Sequence, residues 1–311
     1  MTRSTLGEIR SVTFTVPDLG VIEHAYVREL GYVVAGRGRI REAQAVAWGA
    51  PGVVDARSMV LAPASEEPVF LRFVEDETAA GWNALRTYGW NVAEFVVQDV
   101  DALAARLDGG AFEIIGPPRP LTRFPMIRAM QVRGPAGECC YFTEVGPGSG
   151  LNLATARSFV GRVFIVVAAG PDADAMFAPY AAFANAVDPP VSTPVRVISA
   201  AHGLPPETAH RHGLVRLAGG TLIELDEYPS TACARRTAED RLAPGMAIVG
   251  FDVASIDEPR TFPGPTADCG LPGIDARAAC LRGAVGELIE LVSDRAYSDS
   301  VTRNRGWSAN A

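Results

Sequence analysis

An α+β fold built from four repeated βαβββ modules is what this sequence predicts, on three observations. A strand, a Val-x-Asp turn and a short helix stopped by glycine open the chain at residues 11–31 and return at 92–110. Two related turns follow, Arg133-Gly134-Pro135-Ala136-Gly137-Glu138 and Arg282-Gly283-Ala284-Val285-Gly286-Glu287, each near the end of one half. Gly219-Gly220-Thr221-Leu222-Ile223-Glu224-Leu225 is echoed by Leu288-Ile289-Glu290-Leu291, and such self-similarity outranks any single local reading.

The first module opens on Ser11 to Val16, an alternation of small polar and apolar residues that suits a half-buried strand. Asp18 caps a helix running to about Leu30, and Gly31 stops it. Two weaker strands and a strand over residues 68–74 complete the module. The second module repeats the plan with a strand at 92–97, a cap in Gln98-Asp99-Val100-Asp101, a helix through Leu107 and a stop at Gly109-Gly110. Its last strand, Cys139-Cys140-Tyr141-Phe142, leaves the first of the two related turns. The third starts at Val163 to Val167, carries a helix over about 172–183 and ends in a hairpin around Gly219-Gly220. In the fourth, residues 246–253 read as a strand, but Glu258-Pro259 and Pro263-Gly264-Pro265 leave little room for a crossover helix. Glycine and proline at 146–150 suggest a boundary, giving an N-terminal domain over 1–146, a linker over 147–157 and a C-terminal domain over 158–311.

Composition narrows the function classes. Hydrophobic residues are 48% and charged residues 21%, a globular balance, and the net charge of -8 is spread along the chain, which disfavours nucleic acid as a partner. Neither a secretory leader nor a run of about 18 apolar residues is present, so no membrane partner and a cytoplasmic location are expected. Five cysteines without CxxC spacing read as reduced, mostly buried thiols.

The strand, Val-x-Asp turn, short helix and Gly-Glu-x-Ile-Glu-Leu strand resemble the vicinal oxygen chelate superfamily of glyoxalases, bleomycin-resistance proteins and type I extradiol dioxygenases, over almost the whole chain. That resemblance implies modules paired into two cup-shaped, mostly antiparallel sheets, each cup made from the two modules of one half. It also implies a divalent metal held by one His on each module-opening strand and a Glu on a closing strand. Here those positions fall at Ser11, about Val92 and Tyr141 in the N-terminal cup, and at Arg162, about Ile248 and Glu290 in the C-terminal cup. Arginine cannot ligate a metal, so neither a metal ligand nor any other cofactor is expected, with a divalent ion left open.

Pairing the Gly219-Gly220 hairpin sets Leu214 opposite Glu224 and His212 opposite Asp226. Alternation then turns His212, Arg216, Glu224 and Asp226 into the C-terminal cup with Arg162 and Glu290. One reading makes Glu224, Glu290 and His212 the proton-moving groups, with Arg162, Arg216, Asp226, His210 and Tyr141 contacting substrate. The other makes Arg162 the neutralising partner of Glu224 and Glu290 in a closed network. A metal on His210, His212, Glu224 and Asp226 is a further option, and His202 and His210 belong to a loop over the cup's mouth. Ser11, Thr13, Arg72, Glu94 and Tyr141 face the N-terminal cup, while His24 and the stretch Arg235-Arg236 to Arg241 read as helix surface.

The expected function is therefore a metal-independent enzyme moving a proton on a small aromatic or oxygenated carbonyl compound. A non-catalytic small-molecule binder and a metal enzyme of extradiol or glyoxalase type are the alternatives. The chain is expected as a monomer or homodimer.

Overall fold

A computed structural model of the chain describes residues 6–122, 124–149, 151–184, 186–256 and 264–294. Its first module comprises β1 (Ile9–Val16), α1 (Leu19–Arg28), β2 (Val33–Arg39), α2 (Glu42–Ala47), β3 (Arg57–Ala62) and β4 (Phe70–Glu75). The second holds β5 (Gly89–Val97), α3 (Val100–Leu107), β6 (Glu113–Pro120), β7 (Ile127–Arg133) and β8 (Cys139–Val145). β9 (Val160–Gly170), α4 (Ala173–Ala181), β10 (Ala186–Pro194), α5 (Arg196–Ala201), β11 (Ala209–Arg216) and β12 (Leu222–Glu227) form the third. The fourth has β13 (Gly245–Asp252), β14 (Thr266–Asp268), β15 (Ala276–Arg282) and β16 (Leu288–Asp294).

Local chemistry explains these boundaries. Asp18, Asp99 and Asp172 each stand in extended backbone and accept N–H groups of the turn that follows, which caps α1, α3 and α4. In the fourth module Ser255 takes that place, and among the described residues no helix separates β13 from β14. Residues 257–263, where the prolines argued against a helix, lie outside the described residues.

The chain forms two eight-stranded sheets, and their composition corrects the expected pairing of modules. One sheet runs β14-β15-β16-β13-β1-β4-β3-β2 and the other β10-β11-β12-β9-β5-β8-β7-β6. Modules 1 and 4 therefore make one cup, the outer, and modules 2 and 3 the other, the inner. The joints are antiparallel, β1 on β13 and β5 on β9, while β4, β8, β12 and β16 each lie parallel to their module's opening strand. The segment 147–157 joins β8 to β9 within the inner sheet, so it is no boundary between the two sheets.

The main core lies between the sheets. Val12, Phe14 and Val16 of β1 share one buried cluster with Ala93, Phe95 and Val97 of β5 and with apolar residues of α1, α3 and α4. The two related turns have their explanation here. Glu138 accepts the Tyr26 hydroxyl of α1 at 3.0 Å, and Glu287 accepts the Tyr180 hydroxyl of α4 at 2.8 Å, each bond crossing from one sheet to the other. Both glutamates also close their own turns by accepting N–H groups, of Ala136 and Val285. Arg235 is a second tie: it is no helix-surface residue but a buried guanidinium that donates to Trp90 O and Met246 O beside the Trp82 ring. Burial lowers its pKa to about 10. Among the described residues no helix is long and apolar enough to cross a membrane.

Candidate functional site

In the inner cup, β11 and β12 turn back on each other through Gly219 and Gly220, both at positive φ, and pair in the expected register with His212 opposite Asp226 and Leu214 opposite Glu224. His212, Glu224 and Asp226 consequently share one face, and one ligand atom from each lies within 4.8 Å of the others. His212 Nδ1 sits 3.4 Å from Glu224 Oε1, and Thr193 of β10 holds the opposite nitrogen, Nε2, at 2.8 Å. Ser199 of α5 holds His210 Nε2 at 2.9 Å, which fastens the short helix over the cup.

The opposite wall comes from the second module. Glu94 on β5 pairs with Tyr141 on β8, and the Thr143 hydroxyl donates to Glu94 Oε1 at 2.5 Å. Burial pushes the Glu94 carboxyl up to about 8, with the charge of Glu224 adding to the rise. Burial also raises Asp226, again reinforced by Glu224, and keeps the Tyr141 and Tyr228 hydroxyls protonated. Asp226 is only 4% exposed, and neither its Oδ1 nor the Tyr228 hydroxyl has a hydrogen-bond partner among the described residues. Glu224 and His212 are more open, with side chains 22% and 19% exposed. No arginine pairs with Glu94, Glu224 or Asp226 among the described residues.

Both cups hold a buried apolar cluster, Val197 and Ile198 of α5 with Val92 and Val167 in the inner one and Trp48 and Ala45 with Val74 and Ile248 in the outer, and they differ in their charges. Glu290 accepts Trp48 Nε1 at 2.8 Å and faces Arg72 Nη1 at 3.4 Å, with the Arg72 and Glu290 side chains 2% and 1% exposed. Arg72 also donates to Thr13 Oγ1 and Cys269 O, and its guanidinium lies over the Trp48 ring at 5.1 Å.

The structure thus redistributes the residues singled out in the sequence. His212, Glu224 and Asp226 come together, His210 is instead held by Ser199, and Tyr141 and Glu94 join the group because the second module belongs to this sheet. Glu290 is in the other cup, paired with Arg72. Arg162 reaches neither glutamate: it donates to Glu8 Oε2 at 2.6 Å and to Gly219 O, beside a cavity of about 480 Å³ that Arg10, Glu67 and Asp252 also line. Counted from the cap at Asp172 as Ser11 is from Asp18, the equivalent position is Ile165 and not Arg162. Arg216 lies at the end of β11, bound to Asp188 of β10 at 2.5 Å. His202 bonds Thr231 and Leu85 O, and His24 is exposed on α1. Glu94 was visible as inward-facing but not as reactive; Thr143, Tyr228 and Trp48 carried no sequence signal.

The metal positions that the resemblance implies do not fit a metal. In the outer cup they are Ser11, Ile248 and Glu290, whose carboxylate Trp48 and Arg72 already occupy. In the inner cup Val92, Ile165 and Tyr141 accompany Glu224, and two of these carry no donor atom.

No family model matches the chain, and no curated protein does. Solved structures do match. Glyoxalase I from Zea mays aligns over 95% of this chain and 94% of its own at 13% identity, with a TM-score of 0.58. A dioxygenase candidate from Bacillus subtilis covers 94% of this chain and 87% of its own at 12% identity, TM-score 0.62. The chain shares the fold of these two structures, in a two-sheet, four-module arrangement.

Proposed function

We propose that this protein, with its vicinal oxygen chelate fold, is an enzyme that moves a proton on a small oxygenated carbonyl or aromatic compound in the inner cup. One observation carries the reading: Glu94, Tyr141, His212, Glu224 and Asp226 converge from both halves of the chain, and the carboxylates have no arginine partner among the described residues.

Glu94 is assigned the proton. Its carboxyl stays protonated to about pH 8 and the Thr143 hydroxyl fixes Oε1, so it donates near neutrality and accepts once deprotonated. The buried, protonated hydroxyls of Tyr141 and Tyr228 are donors for a substrate oxygen. Substrate enters where His212 and Glu224 are open. The lack of a guanidinium beside the carboxylates argues for an uncharged or cationic substrate and against a carboxylate or phosphate.

The test is exchange of carbon-bound hydrogen in D2O, followed by NMR over a panel of α-hydroxyketones, β-diketones and phenols. Wild-type protein is expected to exchange at least one compound, with Glu94→Gln slower by roughly 10²- to 10⁴-fold. A compound that binds and returns with no exchange, or exchange that Glu94→Gln leaves untouched, contradicts the assignment; the first result supports a binding role instead.

A further inference from the structure

We infer that His212, Glu224 and Asp226 form a site for one divalent transition-metal ion in the inner cup, away from the module-opening strands where the resemblance places histidine ligands. The inference deepens the reading of this cup, naming an ion for the site to which the proton transfer is assigned.

Three donors of two chemical kinds already converge there, within 4.8 Å of one another. An ion with bonds of about 2.0–2.2 Å needs only a small closing movement of the side chains to reach all three. The imidazole is prepared for it: Thr193 holds Nε2, which turns Nδ1 toward Glu224 and supplies the outer hydrogen bond that ligating histidines commonly have.

Two further observations point to an absent cation. Asp226 is buried with Oδ1 unpartnered, and Tyr228, 3% exposed, turns an unpartnered hydroxyl into the same charged neighbourhood. Buried polar atoms are ordinarily paired, so these two mark an unmet demand. A proton shared between Glu224 and Asp226 would relieve their repulsion, but it would not engage the Tyr228 hydroxyl. One imidazole with two carboxylates suits zinc, manganese, iron or cobalt better than magnesium or calcium. Open positions would remain toward the cup, where such an ion polarises a substrate oxygen.

Full-length protein stripped with chelator and titrated calorimetrically with ZnCl₂ and with MnCl₂ should bind one ion per chain. Cobalt should give visible absorption bands that are altered in His212→Gln. Zinc affinity should fall about a hundredfold or more in His212→Gln and Asp226→Asn, and about tenfold in Thr193→Val. Glu290→Gln, if folded, should bind as wild type does. Should Asp226→Asn fail to fold, His212→Gln and the cobalt spectrum of wild type decide the matter. Failure of wild type to bind either ion, or undiminished binding in His212→Gln, overturns the site. No substrate enters this titration, so a protein that binds no ion yet exchanges substrate hydrogen loses this inference alone, and one that binds the ion without exchange loses only the proton-transfer reading.

Discussion

The two cups place a glutamate at the same point of the repeat and surround it oppositely. Glu290 sits beside Gly250 and Glu224 beside Val167, each on a closing strand parallel to its module's opening strand. The outer cup answers its glutamate from within, through Arg72, Trp48 and the closeness of Gly250, where an added Cβ would fall 2.4 Å from Ser11 Oγ. The inner cup adds Asp226 and Glu94 to its glutamate and sets the Asp226 carboxyl against that of Glu224, with no donor to its Oδ1 among the described residues. Removing one partner of a buried ion pair strands the other and costs stability, whereas crowded carboxyls without a counter-charge mark a place where something else can bind.

The largest effect that could break this comparison is on stability. Arg72→Met should cost about 3–5 kcal/mol, because it strands Glu290 in a sealed cup, and adding Glu290→Leu should restore most of the loss. In chelated protein Asp226→Asn should cost under about 1 kcal/mol or stabilise, since it removes a crowded carboxyl. Denaturant unfolding with unchanged m-values measures both. Equal losses from Arg72→Met and Asp226→Asn would erase the distinction between the cups.

A smaller effect should appear in the pH dependence. Glu94 has a folded-state pKa raised to about 8, so folding binds its proton more tightly than the unfolded chain does. Its contribution is present in full below the ordinary carboxyl range and is lost as pH rises from there through about 8. Compared with wild type in chelator, Glu94→Gln should therefore gain relative stability between pH 5 and pH 8, read by unfolding at each pH. A difference that stays flat or runs the other way would place Glu94 in a wetter setting than the inner cup.

What could be read from the sequence was local. Asp18, Asp99 and Asp172 announced their helices, and the β11–β12 register followed from two glycines and alternation, because caps and tight turns are decided by neighbouring residues. The partner of a strand is not local. Nothing in Ser11 to Val16 says whether its edge meets the second module or the fourth, and that one ambiguity moved Glu290 out of the site and brought Tyr141 and Glu94 in. Arg162 misled differently: the start of β9 reaches toward Glu8 and Gly219, and the cup-facing equivalent of Ser11 comes later in that strand. The turn ending in Glu138 was evidence of duplication in the sequence, and only the folded chain reveals its partner in Tyr26.

The central claim is that the inner cup does chemistry and the outer cup holds structure, and the most direct measurement is hydrogen exchange by one panel substrate in two variants. Arg72→Met/Glu290→Leu, which makes the outer cup apolar, is predicted to keep wild-type exchange, and Glu94→Gln to lose it. Exchange lost in the outer-cup double variant while it remains folded, or kept in Glu94→Gln, would contradict the account.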